Sequence, residues 1–300
     1  MTCQPKYLVA VATYRRPDGL KRLLDSLALS VDRQNADVIV IDNDAAASAR
    51  SIATEHPLLP HYEVEPDPGI ASARNRALDS FNSDYSAVIF VDDDEWVDPD
   101  WYRMITSYAE RTGAEVVQGS VVTILHKDVP HWISNGQFFQ RPIQASGTQL
   151  ASAATNNVLL TRRAWQLAGC PRFDKAFSTS GGSDFDLFWG LHKSGAEILY
   201  CAEATVYEDV SPSRLSWRWL RRRYTRNGMA IFRSHRKHGE SMGRLMTYRF
   251  GVLIVGAIQF LIDILVGRGP RAKPVERVFK SVGVFASAIG YEIHEYSRSP

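Results

Sequence analysis

The run from Ala87 to Val91 is short, apolar and rich in β-branched residues, and it stops at Asp92, Asp93 and Asp94 with Glu95 directly behind. Such a run reads as a buried strand ending in carboxylates. Four adjacent acids repel one another, so a core strand that presents them implies a cationic partner. A divalent cation is the natural one, because hard oxygen ligands suit magnesium or manganese, and the ion would in turn hold a phosphate. A solvated acidic turn capping the next helix is the simpler account. Asp98 followed by Pro99 does look like an N-cap with proline at the first helical position. That explains Asp98 but not the three acids fused to the strand end.

The chain around this stretch has 300 residues, 45% hydrophobic and 23% charged, enough for one large core or two smaller ones. Cys3, Cys170 and Cys201 are an odd number without metal-ligand spacing, so no disulfide framework or zinc site is expected and a reducing compartment fits. The opening MTCQPKYLVAVATYRR lacks the pattern of a secretory leader, which points to a cytoplasmic protein. A net charge of +2 conceals an asymmetry. Residues 1–110 carry ten Lys/Arg against nineteen Asp/Glu, whereas residues 211–249 carry eleven Lys/Arg against Glu240 alone. The acidic half is suited to a metal, the basic part to polyanions.

Strand alternates with helix through the first third of the chain. Tyr7–Ala12 is followed by a helix over 17–29, the strand Asp37–Ile41 by a helix through about His56, and the short strand near Tyr62–Val64 by a helix over 70–81. This predicts a parallel, doubly wound sheet, in which ligands bind beyond the carboxyl ends of strands where strand order reverses. Thr13 and Tyr14, Asp42, and Asp92 to Asp94 all fall at such ends. Further on, a helix is expected over 99–112, a strand over 114–123, irregular structure or hairpins lining a cleft over 125–150, a strand over 155–161, a short helix over 162–168, a loop over 171–182, a helix from Ser183, and short strands at 198–201 and 205–207. A domain boundary is placed near Ser211 and Pro212, dividing residues 1–210 from 211–300. Beyond it, Arg214, Arg218, Arg222 and Arg226 recur every four residues and are expected to line one helical face.

Five pieces together resemble the family 2 glycosyltransferases of GT-A fold: Val9-Ala-Val-Ala-Thr-Tyr14, Val40-Ile-Asp42-Asn, Gly69-Ile-Ala-Ser-Ala-Arg74-Asn75, Val91-Asp-Asp-Asp94-Glu and Gly181-Gly-Ser-Asp184-Phe-Asp186-Leu. Glu208 and the run from Arg214 to Gly228 are similar to the branch containing bacterial exopolysaccharide enzymes of the succinoglycan kind. The resemblance implies a metal-dependent, inverting transfer of a sugar from a nucleotide diphosphate donor, with a UDP-sugar expected, to a saccharide or lipid-linked saccharide. Donor contacts would fall to Thr13, Tyr14, Arg16, Asp42, Arg74, Asn75, Asp92 and Asp93. An aromatic face stacks on a base and a carboxylate accepts from a ring N–H. Asp94, Asp92 and Glu208 would hold Mn2+ or Mg2+, and Arg214, Arg218 and Arg222 would meet an acceptor or its phosphate. Asp184 is the expected general base, with Asp186 two positions on as the alternative.

The sequence departs from the family in two places. Ser183 stands where many members have Glu before the catalytic aspartate, and Glu208 stands where many have a histidine completing the metal shell. A nucleotide-sugar-binding protein with a decayed site is therefore one alternative, and Ser183 is its only hint. A sugar-phosphate nucleotidyltransferase would need a glycine-rich basic loop after the first strand, which Ala12-Thr-Tyr-Arg-Arg-Pro is not. No nucleic-acid motif accompanies the arginines. At the other end, Phe250–Val266 is seventeen residues with only Gln259 and Asp263 polar. That is short of the roughly 20 residues needed to span a bilayer, so the helix is expected to lie at the inner face of the cell membrane. A second helix over 275–293 spaces Gly283 and Ser287 for close packing. A helical hairpin buried against the catalytic domain is the competing arrangement.

Overall fold

The computed structural model describes residues 5–178 and 181–293; Cys3 and two residues of the 171–182 loop lie outside them. The chain forms two compact units, one of Met1–Val122, Pro142–Ser178 and Leu187–Glu208, the other of Thr123–Arg141, Thr179–Asp186 and Asp209–Pro300.

The elements follow in chain order as β1 Tyr7–Thr13, α1 Pro17–Ser30, β2 Ala36–Asp42, α2 Arg50–Glu55, β3 His61–Val64, α3 Ile70–Ser80 and β4 Ala87–Asp92. Next come β5 Glu95–Val97, α4 Trp101–Thr112, β6 Val116–Ile124, α5 His131–Gly136, β7 Asn157–Thr161, α6 Arg162–Leu167, α7 Ser183–Lys193 and β8 Ile198–Asp209. Three long helices close the chain, α8 Trp217–Lys237, α9 Met242–Leu265 and α10 Ala272–Ala288.

In the first unit, eight strands form one sheet in the order β3-β2-β1-β4-β7-β6-β8-β5. Successive side chains of β1 enter opposite cores: Val9 and Val11 join one with Leu20, Leu23, Leu24 and Leu27 of α1, while Leu8 and Ala10 join the other with Ala77 and Leu78 of α3. A strand covered on both faces is apolar at every position, which is why these strands read as continuous runs. β1 pairs in parallel with β2 on one side and β4 on the other. The chain winds outward from β1 to β3 and then returns to place β4 on β1's far edge. The reversal of strand order therefore falls between β1 and β4.

The expected α/β fold with C-terminal helices holds, and the parallel order holds for β3, β2, β1 and β4. Beyond β4 the sheet changes character, since β7 runs antiparallel to β4, β6 antiparallel to β7, and β5 antiparallel to β8. The two short strands expected at 198–201 and 205–207 are one twelve-residue strand. Its middle stays extended because Ala204 is buried and its carbonyl accepts from Asn157 Nδ2 at 2.8 Å.

In the second unit, the 123–141 segment is mostly irregular apart from α5 and packs into a core. Ile133, Phe138 and Phe139 share a core with Leu220 and Tyr224 of α8 and Val275 of α10. α8 and α10 touch backbone to backbone. A Cβ on Gly228 would lie 2.0 Å from the Lys280 carbonyl oxygen, and one on Gly283 would lie 1.9 Å from that of Thr225. α9 is longer than its apolar stretch, because Ser241 caps it and its first two turns carry Arg244, Thr247 and Arg249.

Candidate active site

The strand register lays the acidic motif beside the first strand's end. Thr13 pairs across to Asp42, and Ala12 pairs with Asp92 on the other side. Thr13 Oγ1 donates to Asp93 Oδ2 at 2.8 Å, and Arg16 Nη1 reaches Asp93 Oδ1 at 2.9 Å and Asp94 Oδ2 at 3.0 Å. Burial pushes the Asp93 carboxyl up to about 6, against the pull of Arg16. A Cβ on Gly19 would stand 2.6 Å from the Asp93 carbonyl oxygen, so the glycine lets the first turn of α1 close on the acidic loop.

Arg74, buried in α3, donates from Nη2 to Asp92 Oδ1 at 3.1 Å. The acids at the end of β4 are thus each matched with a guanidinium. Asn75, expected to meet the donor, grips the backbone of Phe173 instead, donating to its carbonyl and accepting from its N–H, both at 2.8 Å. Asp42 is fully buried and accepts from the N–H of Ala49 and the hydroxyl of Tyr62 at 2.8 Å each, and from the Asp44 N–H at 3.1 Å. Tyr14 is half-buried at the mouth of the strand, with the Arg15 guanidinium 5.1 Å from its ring centroid. Arg15 in turn pairs with Asp44 at 2.8 Å, which holds that carboxyl down to about 2.

Three further residues shape the site: Glu95, which the sequence marks only as the fourth of the adjacent acids, and Thr155 and Asn156, which it does not mark. Glu95, 1% exposed, accepts from the Asp92 N–H at 3.1 Å and from Asn156 Nδ2 at 3.2 Å, and so ties the acidic loop to the start of β7. The signal for its burial was the alternation Glu95-Trp96-Val97, a short strand between the acids and Asp98. Thr155 Oγ1 and Asn156 Oδ1 are buried without a hydrogen-bond partner among the described residues. Nothing in their local sequence marks them. Glu208 faces Glu95 across the β5–β8 ladder.

Among the described residues no three His, Cys, Asp or Glu side chains converge as a ready-made metal site. The oxygen donors that are present still suit magnesium or manganese, which bind through one or two carboxylates together with the phosphates of a substrate.

The remaining candidates belong to the second unit. Asp184 opens α7 and is half-buried, with Oδ1 accepting from the Phe185 N–H at 2.8 Å. Asp186 is buried, with Oδ2 2.6 Å from Lys237 Nζ and Oδ1 3.2 Å from His238 Nε2. The arginine stripe is shorter than its spacing implied. Arg214 belongs to a 3-10 turn ahead of α8, Arg218 and Arg222 are exposed on the helix, and Arg226 is turned inward.

Comparison with known proteins adds to this geometry. Residues 8–166 match the glycosyl transferase family 2 model. The chain is 37% identical over 239 residues to the succinoglycan biosynthesis protein ExoM of Rhizobium meliloti strain 1021, covering 77% of this chain and 76% of that protein. A glycosyltransferase, GlyA of Streptococcus pneumoniae serotype 4, is 27% identical over 115 residues, which are 36% of this chain and 16% of that one. In fold the chain is similar to TarS of S. aureus, with a TM-score of 0.55 at 15% identity over 75% of this chain and only 39% of TarS. With the family model spanning more than half of its length and a relative matched along most of both chains, this protein belongs to glycosyl transferase family 2.

Proposed function

We propose that this glycosyltransferase moves a sugar, with inversion, from a nucleoside diphosphate donor to a hydroxyl of a growing saccharide in polysaccharide assembly. The observation that carries the reading is the cluster at the strand reversal, where Asp92, Asp93 and Asp94 meet Arg74 and Arg16 at the ends of β1 and β4. A site with carboxylates and guanidinium groups side by side can hold a diphosphate directly and through a cation. The kinship with a succinoglycan biosynthesis protein supports polysaccharide as the product class.

Asp94 and Asp92 would hold Mn2+ or Mg2+, with Glu208 as a further oxygen ligand, and the ion would supply charge neutralisation on the departing diphosphate. The chain's own residues do the rest. Tyr14 offers its ring to the base, Asp42 braces the loop beside it through Ala49 and Tyr62, and Arg74 and Arg16 bind phosphate oxygens by charge-assisted hydrogen bonds. Asp184 takes the proton of the acceptor hydroxyl as the new bond forms, the role of a general base. Its place in the first turn of α7 sets it at the positive end of that helix's dipole.

The reading extends to a membrane surface, which suits a lipid-linked acceptor. α9 is long and apolar enough to cross a bilayer, and little of it is buried. Its polar groups are turned inward, however: Asp263 is 1% exposed and pairs with Arg271 at 2.8 Å, and Gln259 accepts from Arg277 of α10. Phe250, Ile254, Ile258, Leu261 and Leu265 stay exposed. One apolar face shown outward with basic residues at its ends is the pattern of a helix lying in the interface.

Thermal shift against a panel of nucleoside diphosphates and their sugars, with and without manganese, tests the donor reading. Metal-dependent stabilisation by one nucleotide series, with slow hydrolysis of its sugar, is expected. Stabilisation without metal dependence and without hydrolysis would make the chain a nucleotide-sugar-binding protein.

A further inference from the structure

We infer that Lys237 and His238 are positioning residues for the turn that carries Asp184, and that Asp186 is their anchor and not a second base. This rests on the reading of Asp184 as the base.

Asp186 is 2% exposed, and each of its oxygens is taken by a cationic or imidazole group from the end of α8. A buried carboxylate is tolerable only when it is paired in this way, and an acceptor hydroxyl has no approach to it. The grip on the turn has further points. The Phe185 ring lies parallel to His235, with centroids 6.1 Å apart at 11°, and packs on the cluster of Ile231, Phe232, Leu245 and Val284. Arg233 Nη2 reaches the Gly181 carbonyl oxygen at 3.5 Å. Residues 233, 235, 237 and 238 thus run down the last turns of α8 and hold positions 181, 185 and 186.

Asp184 stands two residues before Asp186. Positions two apart on a helix point about 200° apart, so anchoring Asp186 toward α8 directs Asp184 the other way. The motif's two aspartates therefore have different work. One fixes the backbone, and the other is presented by it. Two glycines at positive φ, Gly181 and Gly182 at 77° and 98°, lead into the turn, and a segment of that kind has little stiffness of its own. The external latch supplies what the local sequence lacks.

The experiment compares Lys237→Met, Lys237→Arg, Asp186→Asn, the Lys237→Met/Asp186→Asn double variant and Asp184→Asn in the full chain. The probe is UDP-glucose, replaced by UDP-galactose or UDP-N-acetylglucosamine if the wild type hydrolyses those faster. Lys237 is half exposed, so its loss opens no cavity, and the double variant, which also removes the Asp186 charge, separates a folding defect from a positioning one. We expect Lys237→Met to lower kcat about tenfold with donor KM within about twofold, the behaviour of a group that orients the reacting residue without binding donor. Lys237→Arg should recover most of the rate, and the double variant should be no slower than the worse single, as for two halves of one contact. Amide hydrogen exchange at 183–187 should quicken in Lys237→Met and nowhere in the first strand region. Wild-type kcat with unchanged exchange in Lys237→Met would overturn the inference. So would a loss in Asp186→Asn far beyond that of Lys237→Met in a folded protein, which would make Asp186 the base. Wild-type turnover in Asp184→Asn would instead sink the underlying assignment, and the exchange measurement would still judge the latch by itself.

Discussion

Asp93 and Asp94 share one guanidinium, and the two acids differ in what surrounds them. Asp93 is closed in by Thr13 and the first turn of α1, whereas the Asp94 side chain keeps 30% of its exposure. Asp94→Ala is therefore expected to change stability by less than about 1 kcal/mol, as for a part-exposed ion pair. It should abolish manganese-dependent donor binding in a thermal-shift titration; unchanged metal dependence would remove Asp94 from the ligand set. Asp184→Asn keeps helix-capping capacity and cannot accept a proton, so transfer should slow at least about a hundredfold while donor and metal still bind. Near wild-type transfer would refute the assignment. A third residue carries a pH dependence. Burial lowers the His235 imidazole below its ordinary value, so the unfolded chain binds more protons than the folded one just under the ordinary histidine pKa of about 6.5. His235 therefore contributes stability that is present above that pH and lost as pH falls through it. His235→Phe should flatten the decline of Tm between pH 7.5 and 5.5 relative to wild type, and an unchanged slope would assign that decline to other groups.

Among the elements, the crossing of α8 and α10 has the least room. Gly228→Ala or Gly283→Ala forces a Cβ into a facing carbonyl, and overpacking of this kind costs about 1–3 kcal/mol. Urea denaturation checks it, and a midpoint equal to wild type would mean that the helices part without loss. The spacing that singled out Gly283 as a packing residue was legible because small residues repeat at helical intervals. Its partner was not, since Gly228 lies in a stretch that reads as arginine-rich and amphipathic. The same limit shows in the sheet. β1 to β4 follow from local pattern alone, with apolar runs separated by helical periodicity and parallel pairing implied by the crossovers. The antiparallel placement of β7 and β6 rests on contacts such as Gln118 Nε2 donating to the Asn157 carbonyl at 2.8 Å, between residues far apart in the chain.

For the molecule as a whole, the acidic and basic halves of the sequence meet different partners in the proposed function, a metal-bound donor in one and a membrane in the other. Vesicles containing about one-third phosphatidylglycerol are expected to sediment the protein at low salt. Added salt should weaken the binding without abolishing it, because the exposed face of α9 contributes apolar burial that salt does not screen. Full recovery in the supernatant at low salt would remove the membrane reading. Cysteine chemistry offers a check on the fold at the same scale. Burial pushes the Cys201 thiol up to about 11, while Cys170 is exposed. Iodoacetamide at pH 8 should modify Cys170 in the native protein and Cys201 only after unfolding, read by peptide mass mapping.

What the sequence alone determined is whatever short-range pattern encodes: strand runs that end in Thr13, Asp42 and Asp92, a helix opening at Ser183, and the family that these motifs share. Periodicity and strand-end chemistry act within a few residues, so they survive without a structure. The partners of those residues were decided only by the tertiary structure. Arg16 reaches across to Asp93 and Asp94, Asn75 turns to Phe173, and Asp186 is held by Lys237 and His238 from a helix some fifty residues on. Each of these pairings depends on where chain closure brings distant backbone, and no local propensity carries that information.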